Sequence, residues 1–173
     1  MVVDIIRRLV IFVALLLAQV LVLNRIQLFH CATPLLYIYF IIIFPRRYPR
    51  WAILLWSFGM GLAVDMFNNT QGMNALACTV MTIMRRPVFD LFILKDDEDN
   101  DPFPSMDSLG ITNYLKYMAT LVTIYCFVLF LTQAFTLHNI GLTLLRIIAS
   151  SVLSILLIFG IDSLVSTERE KRL

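Results

Sequence analysis

The chain has 173 residues, 60% of them hydrophobic and 15% charged, with a mean hydropathy of +0.83. A single soluble domain of this size has to cover much of its surface with polar groups, so the composition excludes a water-soluble enzyme and points to a membrane. A net charge of +2 is too small for nucleic-acid binding, and the information lies in where the basic residues fall.

The first apolar run, 9–23, follows Arg7 and Arg8 as a signal peptide would, but more long apolar runs come after it and no convincing small-residue cleavage site is present. It reads as a retained first span. Runs at 33–44, 51–67, 72–94, 114–135 and 141–165 bring the candidates to six. They are continuously apolar, without the alternation of barrel strands, so the expected class is all-α: one integral membrane domain with six transmembrane helices. The second run is short, since about 12 residues at about 1.5 Å each reach about 18 Å against a hydrocarbon core of about 30 Å. It can recruit Leu28 and Phe29 upstream, and the fourth run can continue through Arg85 and Arg86 with their side chains snorkelling to the headgroups. Alternatively, the polar link 68–72 dips below the surface, sheltered by neighbouring helices.

Orientation follows from the basic residues outside the spans. With the N-terminus inside, Arg7, Arg8, Arg46, Arg47, Arg50, Arg85, Arg86, Lys95, Arg169, Lys171 and Arg172 all fall on the inner side, and Arg25 alone falls on the outer. The positive-inside rule then supports six spans with both termini in the cytoplasm. The long polar segment 95–113 is cytoplasmic in this topology and carries Asp96, Asp97, Glu98, Asp99, Asp101 and Asp107. It is not an EF-hand loop, because Pro102 stands where a turn glycine is needed and Ser108 where a bidentate glutamate should close the cage. A solvated acidic loop or a docking segment for a basic partner remain its two readings.

Catalytic parts are scarce. His30 and His138 lie near the outer span ends without companion carboxylates, and neither HExxH nor GxSxG occurs. Cys31, Cys78 and Cys126 show no metal-ligand spacing and read as small hydrophobes. No enzyme, metal or cofactor site is expected. Gly59-Met60-Gly61-Leu62-Ala63-Val64 begins like a dinucleotide fingerprint but sits inside an apolar helix. In a membrane its small residues allow close helix approach, with Gly59 and Ala63 in small-xxx-small spacing; Ser150 and Ser154 repeat the feature on the sixth span. Such faces serve internal packing or a partner helix.

Two charges are hard to explain as loop residues. Asp65 stands about 21 Å up the third span from Trp51, and Arg146 about 22 Å above the inner edge of the sixth. Asp162 falls at the inner interface, whereas ionisable groups at intramembrane depth usually have a partner or a function. The matched depths lead us to expect an ion pair between Asp65 and Arg146, direct or through a water or Asn68. The competing account has Arg146 snorkelling outward and Asp65 capping the 68–72 turn.

The stretch Gly59-Met60-Gly61-Leu62-Ala63-Val64-Asp65-Met66-Phe67, followed by Gly72-Met73-Asn74-Ala75-Leu76, resembles the rod shape-determining MreD family. That family has a G-x-x-x-D segment ending one span, a short polar link and a glycine at the start of the next, matched here by Gly61, Asp65 and Gly72. Pro34 and the run to Pro45-Arg46-Arg47 look like its second span and basic exit; the acidic 96–107 segment is longer and more charged than the family pattern. The resemblance implies a non-enzymatic scaffold of the bacterial cell-elongation complex (the rod complex or elongasome), regulating cell shape and lateral peptidoglycan synthesis. It would work by helix packing with MreC, and indirectly with MreB and the peptidoglycan synthases. The family fold is similar to the six-helix substrate-binding subunits of energy-coupling-factor transporters. A small-molecule-binding transporter subunit is therefore the alternative, in which Asp65, Asn68, Asn69, Gln71 and Asn74 would line a pocket.

Overall fold

The computed structural model describes residues 2–22, 34–45, 48–92, 110–133 and 140–170. They are mostly helical, with no strand among them. Helix α1 is Val2–Leu17 and runs on as a π-helical turn over Ala18–Val22; α2 is Ile38–Ile42, α3 Arg50–Asn68, α4 Met73–Phe92, α5 Ile111–Gln133 and α6 Ile140–Glu170. Among the described residues, three segments are long and apolar enough to cross a membrane: Arg50–Asn68, Ile111–Gln133 and, within α6, Leu144–Asp162. Their outward faces are apolar as well. On α3, Trp51, Leu55, Phe58, Leu62 and Met66 form an exposed stripe at helical spacing, a surface that calls for lipid or protein cover. α4 has the length to span at 20 residues, but Arg85, Arg86 and Asp90 near its end lower its hydropathy.

α3 starts where Pro49 supplies an extended residue that has no N–H to leave unsatisfied, and it ends where Asn69 takes a left-handed conformation (φ 54°). Asparagine tolerates that region better than most side chains. The chain then turns through Gly72 at φ +74°, a conformation that a Cβ would oppose. α4 begins immediately, with the Leu76 N–H donating to the Gly72 carbonyl at 3.0 Å. The polar 68–72 link is thus a tight interhelical turn. Pro87 lies inside α4 and cannot donate to the Ile83 carbonyl, so the helical ladder is interrupted near its end.

The second apolar run departs from a straight span. Residues 34–37 precede a helix of only five residues, about 7.5 Å long, and nearly the whole stretch is buried. Tyr37, Ile38, Ile41 and Ile42 are completely enclosed, and Phe40 packs edge-on against Phe12 of α1 at 5.6 Å and Trp56 of α3 at 6.0 Å. The run is the centre of the core, with longer helices around it. Backbone that is not helical is tolerated at such depth only when other groups satisfy it. Gln19, in the π-turn, does so on both sides: its Nε2 donates to the Pro34 carbonyl at 2.8 Å and its Oε1 accepts the Leu36 N–H at 2.9 Å. The Leu35 N–H donates to Ser154 Oγ of α6 at 3.0 Å.

Candidate functional site

Two of the polar groups identified in the sequence, Asp65 and Asn74, meet at the joint between α3 and α4. Gly61 makes that joint possible. A Cβ built there would lie 2.4 Å from the Ala75 Cα and 2.7 Å from the Asn74 carbonyl oxygen, so α4 crosses α3 in backbone contact. Gly59, which with Ala63 has the small-xxx-small spacing, has no described residue within 4 Å of its built Cβ, and both are half-buried.

One helical turn further on, Asp65 is only 3% exposed, and its carboxylate closes the start of α4. Oδ1 accepts the Asn74 N–H at 3.1 Å, Asn74 Nδ2 at 2.8 Å and the Thr70 hydroxyl; Oδ2 accepts the Ala75 N–H at 2.9 Å. The two backbone donors belong to the first turn of α4, where N–H groups lack helical acceptors and the helix dipole favours a negative charge. Asp65 is therefore an N-terminal cap reaching α4 from the preceding helix.

Asn74 carries the network into the core. Its Nδ2 also donates to Thr70 Oγ1 at 3.2 Å, and its Oδ1 faces the hydroxyls of Tyr37 and Tyr125, each at 2.9 Å. The two hydroxyls also touch each other. Two protons cannot serve three edges at once, so two of these contacts are hydrogen bonds at any instant. The side-chain capacity of Asn74 is filled from within the fold, and α3, α4, α5 and the 34–37 segment are tied together by one buried polar chain.

The expected Asp65–Arg146 pair does not form. Arg146 is exposed on α6, whereas both Asp65 oxygens are occupied by neutral donors. Equal depth along two helices did not imply facing sides. Ser150 and Ser154 are fully buried, and the Leu35 contact turns this pair inward, away from any partner surface. Asn68 and Asn69 are exposed at the turn. Asp162 accepts the Tyr39 hydroxyl at 2.7 Å, and Arg8 lies over the rings of Phe44 and Tyr48 at 4.6 and 4.4 Å, a cation–π contact that holds α1 to the far end of the central run.

Cys78 and Cys126 are buried free thiols. Cys31, His30, His138, Arg25, Arg46, Arg47 and nearly all of the acidic 95–113 segment lie outside the described residues. Among those described, no group of three or more His, Cys, Asp or Glu residues can hold a metal. Sequence reasoning missed Gln19, Tyr37, Thr70 and Tyr125. A lone glutamine inside an apolar run was the available signal for the first, and tyrosines at membrane depth for two of the others. Compared with known proteins, the chain matches no family model, no curated protein and no solved structure.

Proposed function

We propose that this chain is an MreD-type subunit: a non-enzymatic inner-membrane scaffold of the cell-elongation complex, with six spans and both termini in the cytoplasm. One observation carries the reading. The residues that bear the resemblance, Gly61, Asp65 and Gly72, together with Asn74, form a single interhelical joint whose polar groups are consumed internally. Such a joint fixes the angle and register of two helices and presents an outer face. Helix packing is the matching mechanism, with an MreC-like single-span protein as partner and MreB and the peptidoglycan synthases engaged through it.

The small-residue face at Gly59 and Ala63 is the partner surface in this reading, since no described residue fills the space beyond Gly59. Gly59→Leu should leave the purified subunit folded and reduce co-purification of MreC at least about tenfold, a loss of about 1.4 kcal/mol. Undiminished capture would remove this face from consideration, and depletion in a rod-shaped host without rounding of the cells would sink the family reading itself. The topology has its own test, resting on the placement of basic residues. Reporter fusions after Leu94 and after Leu173 should both report cytoplasm, and one after Thr136 the periplasm. A periplasmic C-terminus would exclude six spans.

A further inference from the structure

Between the first turns of α3 and the last turns of α4 lies a cavity of about 450 Å³, lined by Arg50, Leu54, Thr82, Arg85, Arg86 and Asp90 among others. Three arginines line it against one aspartate. Arg86 is anchored by its Nη2, which donates to the Tyr48 carbonyl at 3.1 Å. Arg85 is different. It was expected to snorkel outward, yet it is only 4% exposed, and its Nε is buried without a hydrogen-bond partner among the described residues. Its polar neighbour on α5 is the hydroxyl of Tyr117, a neutral group that supplies no counter-charge.

A guanidinium keeps its charge under all ordinary conditions, so burying one without a counter-charge is unfavourable and a bound anion would offset that cost. α3 adds to the positive potential. Its first turn contains no acidic residue and its N-terminus has no side-chain cap, which leaves N–H groups and the positive end of the helix dipole at the Arg50 side of the cavity. A single carboxylate cannot use this many donors. A phosphate group can, because it presents several oxygens to forked guanidinium donors.

We propose that this cavity binds a phosphate group, either as a free phosphate anion or as the headgroup of an anionic phospholipid, with Arg85 as the buried anchor and Arg50 as the exposed gatepost. The inference is independent of the elongation-complex reading, since it depends only on the α3–α4 cleft.

The test uses the full chain, purified in detergent and stripped of lipid, with thermal unfolding followed against three additives: inorganic phosphate, short-chain phosphatidic acid and short-chain phosphatidylcholine. Saturable stabilisation by phosphate and phosphatidic acid together identifies a free-phosphate site, and stabilisation by phosphatidic acid alone identifies a lipid-headgroup site; both support the proposal. Arg50→Gln, on an exposed side chain that the fold does not need, should weaken the apparent affinity about tenfold or more, and Arg85→Gln should abolish the response while Arg85→Lys retains part of it. Arg146→Gln should match the unaltered chain. The proposal is overturned if neither inorganic phosphate nor phosphatidic acid stabilises, if the zwitterionic phosphatidylcholine does so equally, or if Arg50→Gln and Arg146→Gln behave alike. It is also overturned if a response appears only after Asp96, Asp97, Glu98, Asp99 and Asp101 are changed to their amides, for the acidic segment would then be the natural counter-charge.

Discussion

Gly61→Ala should destabilise the folded chain by about 3 kcal/mol, near the top of the range for forcing one methyl group into a packed interior. The new Cβ would meet backbone atoms of Ala75 and Asn74 at 2.4 to 2.7 Å, and backbone in the first turn of a helix cannot rotate aside as a side chain would. Relief requires α4 to move off α3, which also pulls Asn74 and Ala75 away from the Asp65 carboxylate. Two further glycines provide a graded control. Gly72→Ala faces open space but sits at φ +74°, so it should cost about 1 to 2 kcal/mol through the left-handed conformation alone. Gly59→Ala meets neither obstacle and should stay within about 0.5 kcal/mol of the unaltered chain. Denaturant or thermal unfolding in one detergent would rank the three. Equal losses at Gly59 and Gly61 would mean that α3 and α4 do not cross where the structure has them.

The two ends of α3 and the start of α4 carry local chemistry: Pro49 at one boundary, and the Asn69 and Gly72 turn residues at the other. The shape of the central run was not legible, for the opposite reason. Whether 33–44 forms a spanning helix depends on Gln19 and on Ser154, the latter 119 positions away from the Leu35 it satisfies, and no local pattern encodes a contact of that range. The same limit explains the two glycines. Small-xxx-small spacing identified a face able to approach another helix, and Gly59 fitted it, but which face turns toward α4 is set by the short 68–72 turn and by Asp65 reaching over it. Asp65 itself stood out in the sequence as a charge at membrane depth. Its partners did not, because position along a helix gives depth by simple multiplication, whereas facing direction depends on how the whole bundle is assembled. Arg85 shows the reverse: snorkelling is available to any arginine near a helix end, and only the packing of α4 against α5 turns this one inward.

Asp65→Ala should be at least as damaging as the glycine change, at about 3 to 5 kcal/mol, the cost of stranding the partners of a buried charged acceptor. Four donors would lose their acceptor: the Thr70 hydroxyl, Asn74 Nδ2 and the N–H groups of Asn74 and Ala75. Asp65→Asn keeps the shape but turns an amide donor toward other donors, and should fall between this variant and the unaltered chain. The decisive measurement is a pair of double-mutant cycles on the unfolding free energy. Because Asn74 spends its Nδ2 protons on Asp65 and Thr70, removing either member of the pair already disables the contact. Asp65→Asn and Asn74→Ala should therefore combine to well below the sum of their separate costs, with a coupling of about 1 to 3 kcal/mol. Asp65→Asn with Arg146→Gln should be additive to within about 0.5 kcal/mol, since the guanidinium is exposed on α6 while the carboxylate is enclosed. Coupling to Arg146 without coupling to Asn74 would reverse the assignment: Asp65 would then be one half of an intramembrane ion pair bracing α3 against α6, and the cap on α4 would have no energetic weight.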